Sequence, residues 1–261
     1  MSNVRPLEEA MATTPPRWSP YLYLGVLLAV AGSVVYFIVQ GALGPKEIGT
    51  AFLAMVGTFV GALFAFRLNE SKEHAQLVKE RRAALDRALF VLVRQYKGVR
   101  SLAKLLAPYK SEVERAFNCP AFRPPSYSDL TQDFDTLAFL LEATEPNVLM
   151  RLTIEQEGFY QTMETLRIRN EFYVSEVQPA IAKSGFNRRI VPAQELEAAF
   201  GERLFGAAMY QATFLYANVS QAEKRLLAMH SELFAAAKKL YPDAKFINLV
   251  AEALYLPDER P

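Results

Sequence analysis

Twenty-one consecutive residues from Pro20 to Gln40, PYLYLGVLLAVAGSVVYFIVQ, carry no charged side chain, and a second uncharged run, IGTAFLAMVGTFVGALFAF, fills Ile48 to Phe66. A helix of roughly 20 such residues, rising about 1.5 Å each, crosses a hydrocarbon core of about 30 Å. Ser19 is placed to cap the first helix, and Pro20 sits where a missing N–H costs nothing. Trp18, Tyr21 and Tyr23 at one end and Tyr36 near the other suit the aromatic belts of a bilayer. A cleaved signal peptide is the competing reading. It fits poorly, because the first run is long, begins late and is followed by a second within eight residues. The sequence thus predicts an N-terminal tail over 1–19, a two-helix transmembrane hairpin over 20–66 and a further domain over 67–261.

Lys72, Lys79, Arg81 and Arg82 follow the second run directly. By the positive-inside rule they hold the C-terminal domain in the cytoplasm of a bacterial inner-membrane protein, and an even number of spans returns the N-terminus to the same side. These four side chains are also the expected contacts with anionic headgroups or another polyanion. The connector 41–47 is too short to form a domain outside. No Asp, Glu, Lys, Arg or His lies within either run, which argues against a proton relay or transport site.

Small residues recur at four-residue spacing in both runs: Gly25, Ala29 and Ser33 in the first, Gly57, Gly61 and Ala65 in the second. Such faces let helix backbones approach closely in lipid. They can pack against each other inside one hairpin or face a second copy of the chain, and the second choice predicts a homo-oligomer. A pore assembled around Ser33, Thr50 and Thr58 is compatible with this pattern but not required by it.

Beyond residue 61 only five glycines remain, and helix-forming residues dominate, so the fold class is all-α. One cysteine, Cys119, excludes an internal disulfide framework. Net charge near zero conceals a split: residues 67–110 carry 11 basic and 4 acidic side chains, residues 111–261 carry 15 and 21. Val78, Leu85, Leu89, Leu92, Tyr96, Val99 and Leu106 form a helical seam, and the second run is expected to continue as one helix to about Ala107, with any bend at Asn69–Ser71. A short helix over Ser111–Phe117 and a proline-rich loop over Cys119–Ser128 follow. Further helices are predicted from Ser128 or Asp129 to Ala143, from Asn147 to a bend or end at Pro179, and from Pro192 to Tyr241, with a short amphipathic stretch over Lys245–Leu254. Together they predict an elongated antiparallel helical bundle. Gln156, Asn170, Gln211 and Asn218 interrupt apolar seams; buried amides that fix register are the preferred reading, a polar ligand pocket the sharper one.

Signatures of chemistry are missing. No phosphate loop, dinucleotide fingerprint or nucleophile elbow occurs. With one cysteine and two histidines, His74 and His230, zinc sites of common spacing are excluded. No catalytic, cofactor-binding or metal-ligating residue is therefore assigned. The carboxylate pairs Asp133/Asp135 and Glu155/Glu157 stand two apart on expected helices and do not face each other. Arg225-Leu-Leu-Ala-Met-His230 resembles the R-x4-6-H motif of HEPN ribonucleases, but a polar residue often follows that arginine, and here it is Leu226. The basic stripe from Lys72 to Lys104 reads as anchoring rather than nucleic-acid binding, since only Tyr96 is interleaved and it lies on the apolar side.

The stretches FVGALFAFRLNE (59–70), DFDTLAFLLEATEPNVL (133–149) and RNEFYVSEVQP (169–179) resemble a group of bacterial membrane proteins of unknown function with two N-terminal spans and a helical cytoplasmic tail. The similarity covers most of residues 47–180. The layout is also similar to small two-span effectors of bacterial antiviral systems. That resemblance implies a non-enzymatic oligomer that perturbs or permeabilises the membrane under control of a cytoplasmic protein or nucleoprotein partner. A membrane-tethered adaptor that docks a soluble partner is the alternative, and a HEPN-like ribonuclease a remote third.

Overall fold

The computed structural model describes residues 32, 36, 45–122, 127–143, 145–186 and 191–249. The first apolar run, with Gly25, Ala29 and Ser33, lies outside them apart from two isolated positions. The described residues are helical or irregular, with no strand among them. Contacts divide the chain into two units, Met1–Val78 and Lys79–Pro261.

Helix α1, Pro45–Leu106, runs 62 residues, and the expected bend at Asn69–Ser71 stays helical. In the first unit its apolar side chains face outward on every side: Leu53 is 71% exposed and Phe64 72%. An 18-residue window of mean hydropathy 1.6 has no buried residue, so this helix is long and apolar enough to cross a membrane. Thr58 donates its hydroxyl to the Ala54 carbonyl one turn back (2.8 Å), which satisfies that polar group within the helix.

In the second unit the same helix is one-sided. Of the seam read from spacing, Val78, the last residue of the first unit, is half-buried, while Leu85, Leu89, Leu92, Tyr96, Val99 and Leu106 are buried. They share a core with Leu152, Phe159 and Leu166 of α3 (Pro146–Phe172) and Leu215, Leu226, Met229 and Leu233 of α5 (Ala193–Leu240). Burying each such leucine removes about 1.5–3 kcal/mol of unfavourable exposure.

Between α1 and α3 the chain departs from the helical reading. Ser111-Glu-Val-Glu114 closes a reciprocal capping box: Ser111 N–H donates to Glu114 Oε2 (3.0 Å), and Glu114 N–H donates to Ser111 Oγ (3.2 Å). The helix it starts widens into a π-helical turn, Glu114–Asn118. The helix expected from Asp129 to Ala143 is corrected to a series of turns ending in the four-residue α2, Phe139–Glu142. Its backbone is claimed from outside. The Leu130 carbonyl accepts from Gln95 Nε2 (2.8 Å) and Gln156 Nε2 (3.3 Å), and Gln132 N–H donates to Gln156 Oε1 (3.1 Å).

Pro179 was expected to bend or end α3. A second π-helical turn, Tyr173–Val177, precedes it instead, and helix continues through α4, Gln178–Ser184. Proline offers no N–H to the Ser175 carbonyl and crowds it, and the wider turn relieves both problems. Gly185, at φ 73°, ends α4 in the left-handed conformation that glycine adopts without penalty. The helix expected unbroken from Pro192 to Tyr241 is interrupted at Gly201 (φ 76°, ψ 156°). At its C-terminus Lys238 Nζ donates to the Pro242 and Ala244 carbonyls (2.9 and 2.8 Å). Of the amphipathic C-terminal stretch residues 245–249 are described: 245–248 are irregular, and Leu249 is helical and buried. A second apolar cluster joins both π-turns to the start of α5 through Ala116, Phe117, Val177, Leu196, Ala208 and Ala212.

Candidate functional site

Where the π-turns meet α5, two arginines and three tyrosines come together. Arg169, on the last turn of α3, is 3% exposed. Its guanidinium donates to the carbonyls of Pro120 (2.8 Å), Arg115 (3.3 Å) and Cys119, and its Cζ lies 4.6 Å from the Tyr173 ring centre. Asn170 beside it bonds the Phe122 backbone in both directions, accepting from N–H (3.3 Å) and donating to C=O (2.5 Å). These two residues tie down a segment that has no regular structure of its own. The Tyr173 hydroxyl donates to the Phe117 carbonyl (3.2 Å). Burial pushes the Arg169 guanidinium below its usual pKa, with the neighbouring thiol and phenols opposing that shift.

Arg115 is held differently. Its Nε–H donates to the Tyr109 carbonyl (3.2 Å), and its Cζ stands 4.3 Å from the centre of the Tyr216 ring. The Tyr216 hydroxyl donates to the Leu106 carbonyl (2.5 Å), which closes the C-terminal turn of α1. Burial, aided by Cys119, pushes the Tyr216 phenol up to about 12 against the pull of Arg115 and Arg169. Cys119 is 1% exposed, and burial raises its thiol pKa despite the nearby Arg169 charge. A thiol held protonated and out of solvent is a poor nucleophile. The cluster ties residues 115–122 and the end of α1 to α3 and α5 through side-chain hydrogen bonds.

A second polar assembly lies in the core. Gln95, Gln132 and Gln156, all at most 4% exposed, bond one another and the backbone: Gln95 Nε2 donates to Gln156 Oε1 (2.9 Å), and Gln132 Nε2 donates to the Ala88 carbonyl (3.2 Å). Of the four seam amides, Gln156 is buried and bonded across helices, while Asn218 is half-buried and donates to Thr165 Oγ1 (3.0 Å). Gln211 Oε1 is buried with no hydrogen-bond donor among the described residues. A groove between α3 and α5 is lined by Glu155, Thr162, Asn218, Gln221 and Arg225. Burial raises the Glu155 carboxyl pKa there, and Arg225 and Arg151 work against the rise.

Gly57, Gly61 and Ala65 are exposed at four-residue spacing along α1, and nothing lies within 4 Å of a β-carbon built on either glycine. Lys72, Lys79 and Arg82 are exposed. Arg81 is half-buried and already engaged, 3.3 Å from Glu142 and 5.3 Å from the centre of the Phe139 ring. Arg225 and His230, five positions apart, stand about 140° apart around a helix. Arg225 lines the groove, while His230 is 1% exposed beside Phe234. Asp133 lies in a turn, where Oδ1 accepts from Thr136 N–H (3.3 Å), not on a helix.

Sequence reasoning missed Arg169, Arg115 and Tyr216. Arg169 carried a readable signal, since it falls ten positions after Phe159 and three after Leu166, on the buried face of α3. No protein-family model, curated protein or solved structure matches the chain.

Proposed function

We propose that this chain is a non-enzymatic inner-membrane effector. It oligomerises through its membrane hairpin and perturbs or permeabilises the bilayer when its cytoplasmic helical domain receives a signal, with antiviral defence as the setting that its layout suggests. The observation that carries this reading is α1 itself: one helix supplies an apolar segment exposed on all sides and, further along, the seam of a packed core. A change in the core therefore has a covalent route to the lipid-facing segment. Uncovered Gly57 and Gly61 support a close approach by another helix in that segment.

The domain is best read as an antiparallel bundle. Thr165 meets Asn218 and Arg151 meets Glu232 (2.8 Å), so later positions on α5 meet earlier ones on α3. The adaptor reading draws on the parallel-stacked Tyr210–Phe214 pair, 69% and 39% exposed, as a docking surface for a soluble partner. A ribonuclease would need Arg225 and His230 in one cleft, which their positions on α5 do not support.

Expression of the full chain with a membrane-potential dye tests the effector reading. Depolarisation that depends on Gly57 and Gly61 is the expected outcome. An intact potential together with recovery of one stable soluble partner would replace it with the adaptor.

A further inference from the structure

Arg115 is used differently from several other arginines of the domain. Arg81, Arg94, Arg151 and Arg167 each pair with a carboxylate, and Arg169 spends its donors on backbone carbonyls. Arg115 is held on two sides, by the Tyr109 carbonyl at Nε and by the Tyr216 ring against its face. No carboxylate among the described residues forms an ion pair with its terminal nitrogens. Glu114, next in sequence, forms no ion pair with it and spends its Oε2 on the backbone N–H groups of Lys110 and Ser111 (2.8 and 3.0 Å). The guanidinium is thus immobilised while its two terminal NH2 groups remain unspent.

We propose that this fork is the receptor for a phosphate-bearing ligand. A planar guanidinium matches two oxygens of an oxyanion at once, and a guanidinium already fixed by stacking loses little further freedom on binding. The preference for phosphate over carboxylate comes from the second cation. Arg169 sits behind the same π-turn, bonded to the Arg115 carbonyl and in no carboxylate ion pair among the described residues, so a second positive charge adds to the attraction for a dianion. The π-turn that carries Arg115 is a departure from helical geometry of the kind often found at functional sites. The phosphate can belong to a soluble metabolite or to a phospholipid headgroup, and its chemistry at the fork is the same.

The test uses the full chain in detergent micelles and follows the arginine Nε–H resonances by NMR as inorganic phosphate is added. Saturable movement of the Arg115 signal, with acetate binding about tenfold more weakly, is the expected result. Arg115→Lys keeps the charge but loses the bidentate fork and should weaken phosphate binding about tenfold. The control Arg94→Met should leave it unchanged. A linear, unsaturable response in the native chain overturns the proposal, as does a Lys variant that binds phosphate as tightly as native. A short-chain phosphatidylglycerol then separates the sources: displacement of phosphate assigns a lipid headgroup, and no displacement assigns a soluble ligand. This outcome is independent of whether the chain depolarises a membrane.

Discussion

Residues 52–68 and 84–106 belong to one helix and are both rich in apolar side chains, yet they meet their surroundings in opposite ways. In the first stretch Phe52, Leu53, Phe64 and Leu68 are all more than half exposed. In the second, Leu85, Leu89 and Val99 are completely buried while Phe90 and Leu105 on other faces are exposed. Glycines follow the same division. A β-carbon at Gly57 or Gly61 meets nothing within 4 Å, whereas one at Gly98 would lie 2.9 Å from the Tyr127 ring. How apolar a stretch is does not decide its solvent. The angular distribution does: an all-round apolar surface calls for lipid, a stripe calls for other helices.

The largest expected effect breaks the stripe. Leu89→Ala should cost the domain about 2–5 kcal/mol in denaturant unfolding, while Leu53→Ala shifts the same transition by less than about 0.5 kcal/mol. Equal effects would erase the distinction between the two stretches. Next comes charge. Val60→Arg should disfavour membrane insertion by about 2.5–3.5 kcal/mol and raise the fraction released by alkaline extraction, whereas Phe90→Arg should leave that fraction unchanged. The smallest effect sits at the Leu106 end of the buried stretch. The Tyr216 phenol is raised from the usual 10.0 to about 12, so its contribution is complete below pH 10.0 and disappears as the pH climbs through about 12. Tyr216→Phe should remove that alkaline limb and, with the Leu106 hydrogen bond, about 1 kcal/mol of stability, as read from unfolding curves across alkaline pH.

The seams of α1, α3 and α5 were legible because steps of three and four locate a buried face before its partner is known. Three features were not. The turns over 131–138 follow from Gln95 and Gln156 reaching the Leu130 carbonyl and Gln132 N–H from other helices, a competition that local propensity cannot register. The π-turn at Tyr173–Val177 was hidden because Pro179 signals an obstruction without saying how the backbone passes it. At the candidate site, Asn170 was read as the seam residue and Arg169 was passed over, since a guanidinium is ordinarily assigned to solvent. The carbonyls that make its burial tolerable lie about fifty positions earlier in the chain. Even so, RNEFYVSEVQP, one of the three stretches that carried the resemblance, begins at Arg169 and contains Tyr173.

The order of these segments along the polypeptide matters during synthesis. The leucine stripe of α1 leaves the ribosome well before α3 and α5, the helices that cover it, and α5 ends only at Leu240. At roughly 5–20 residues per second, the interval from Leu106 to Leu240 lasts on the order of ten seconds. Throughout that time the apolar stripe has none of its later partners to pack against, so its burial must wait for the end of α5.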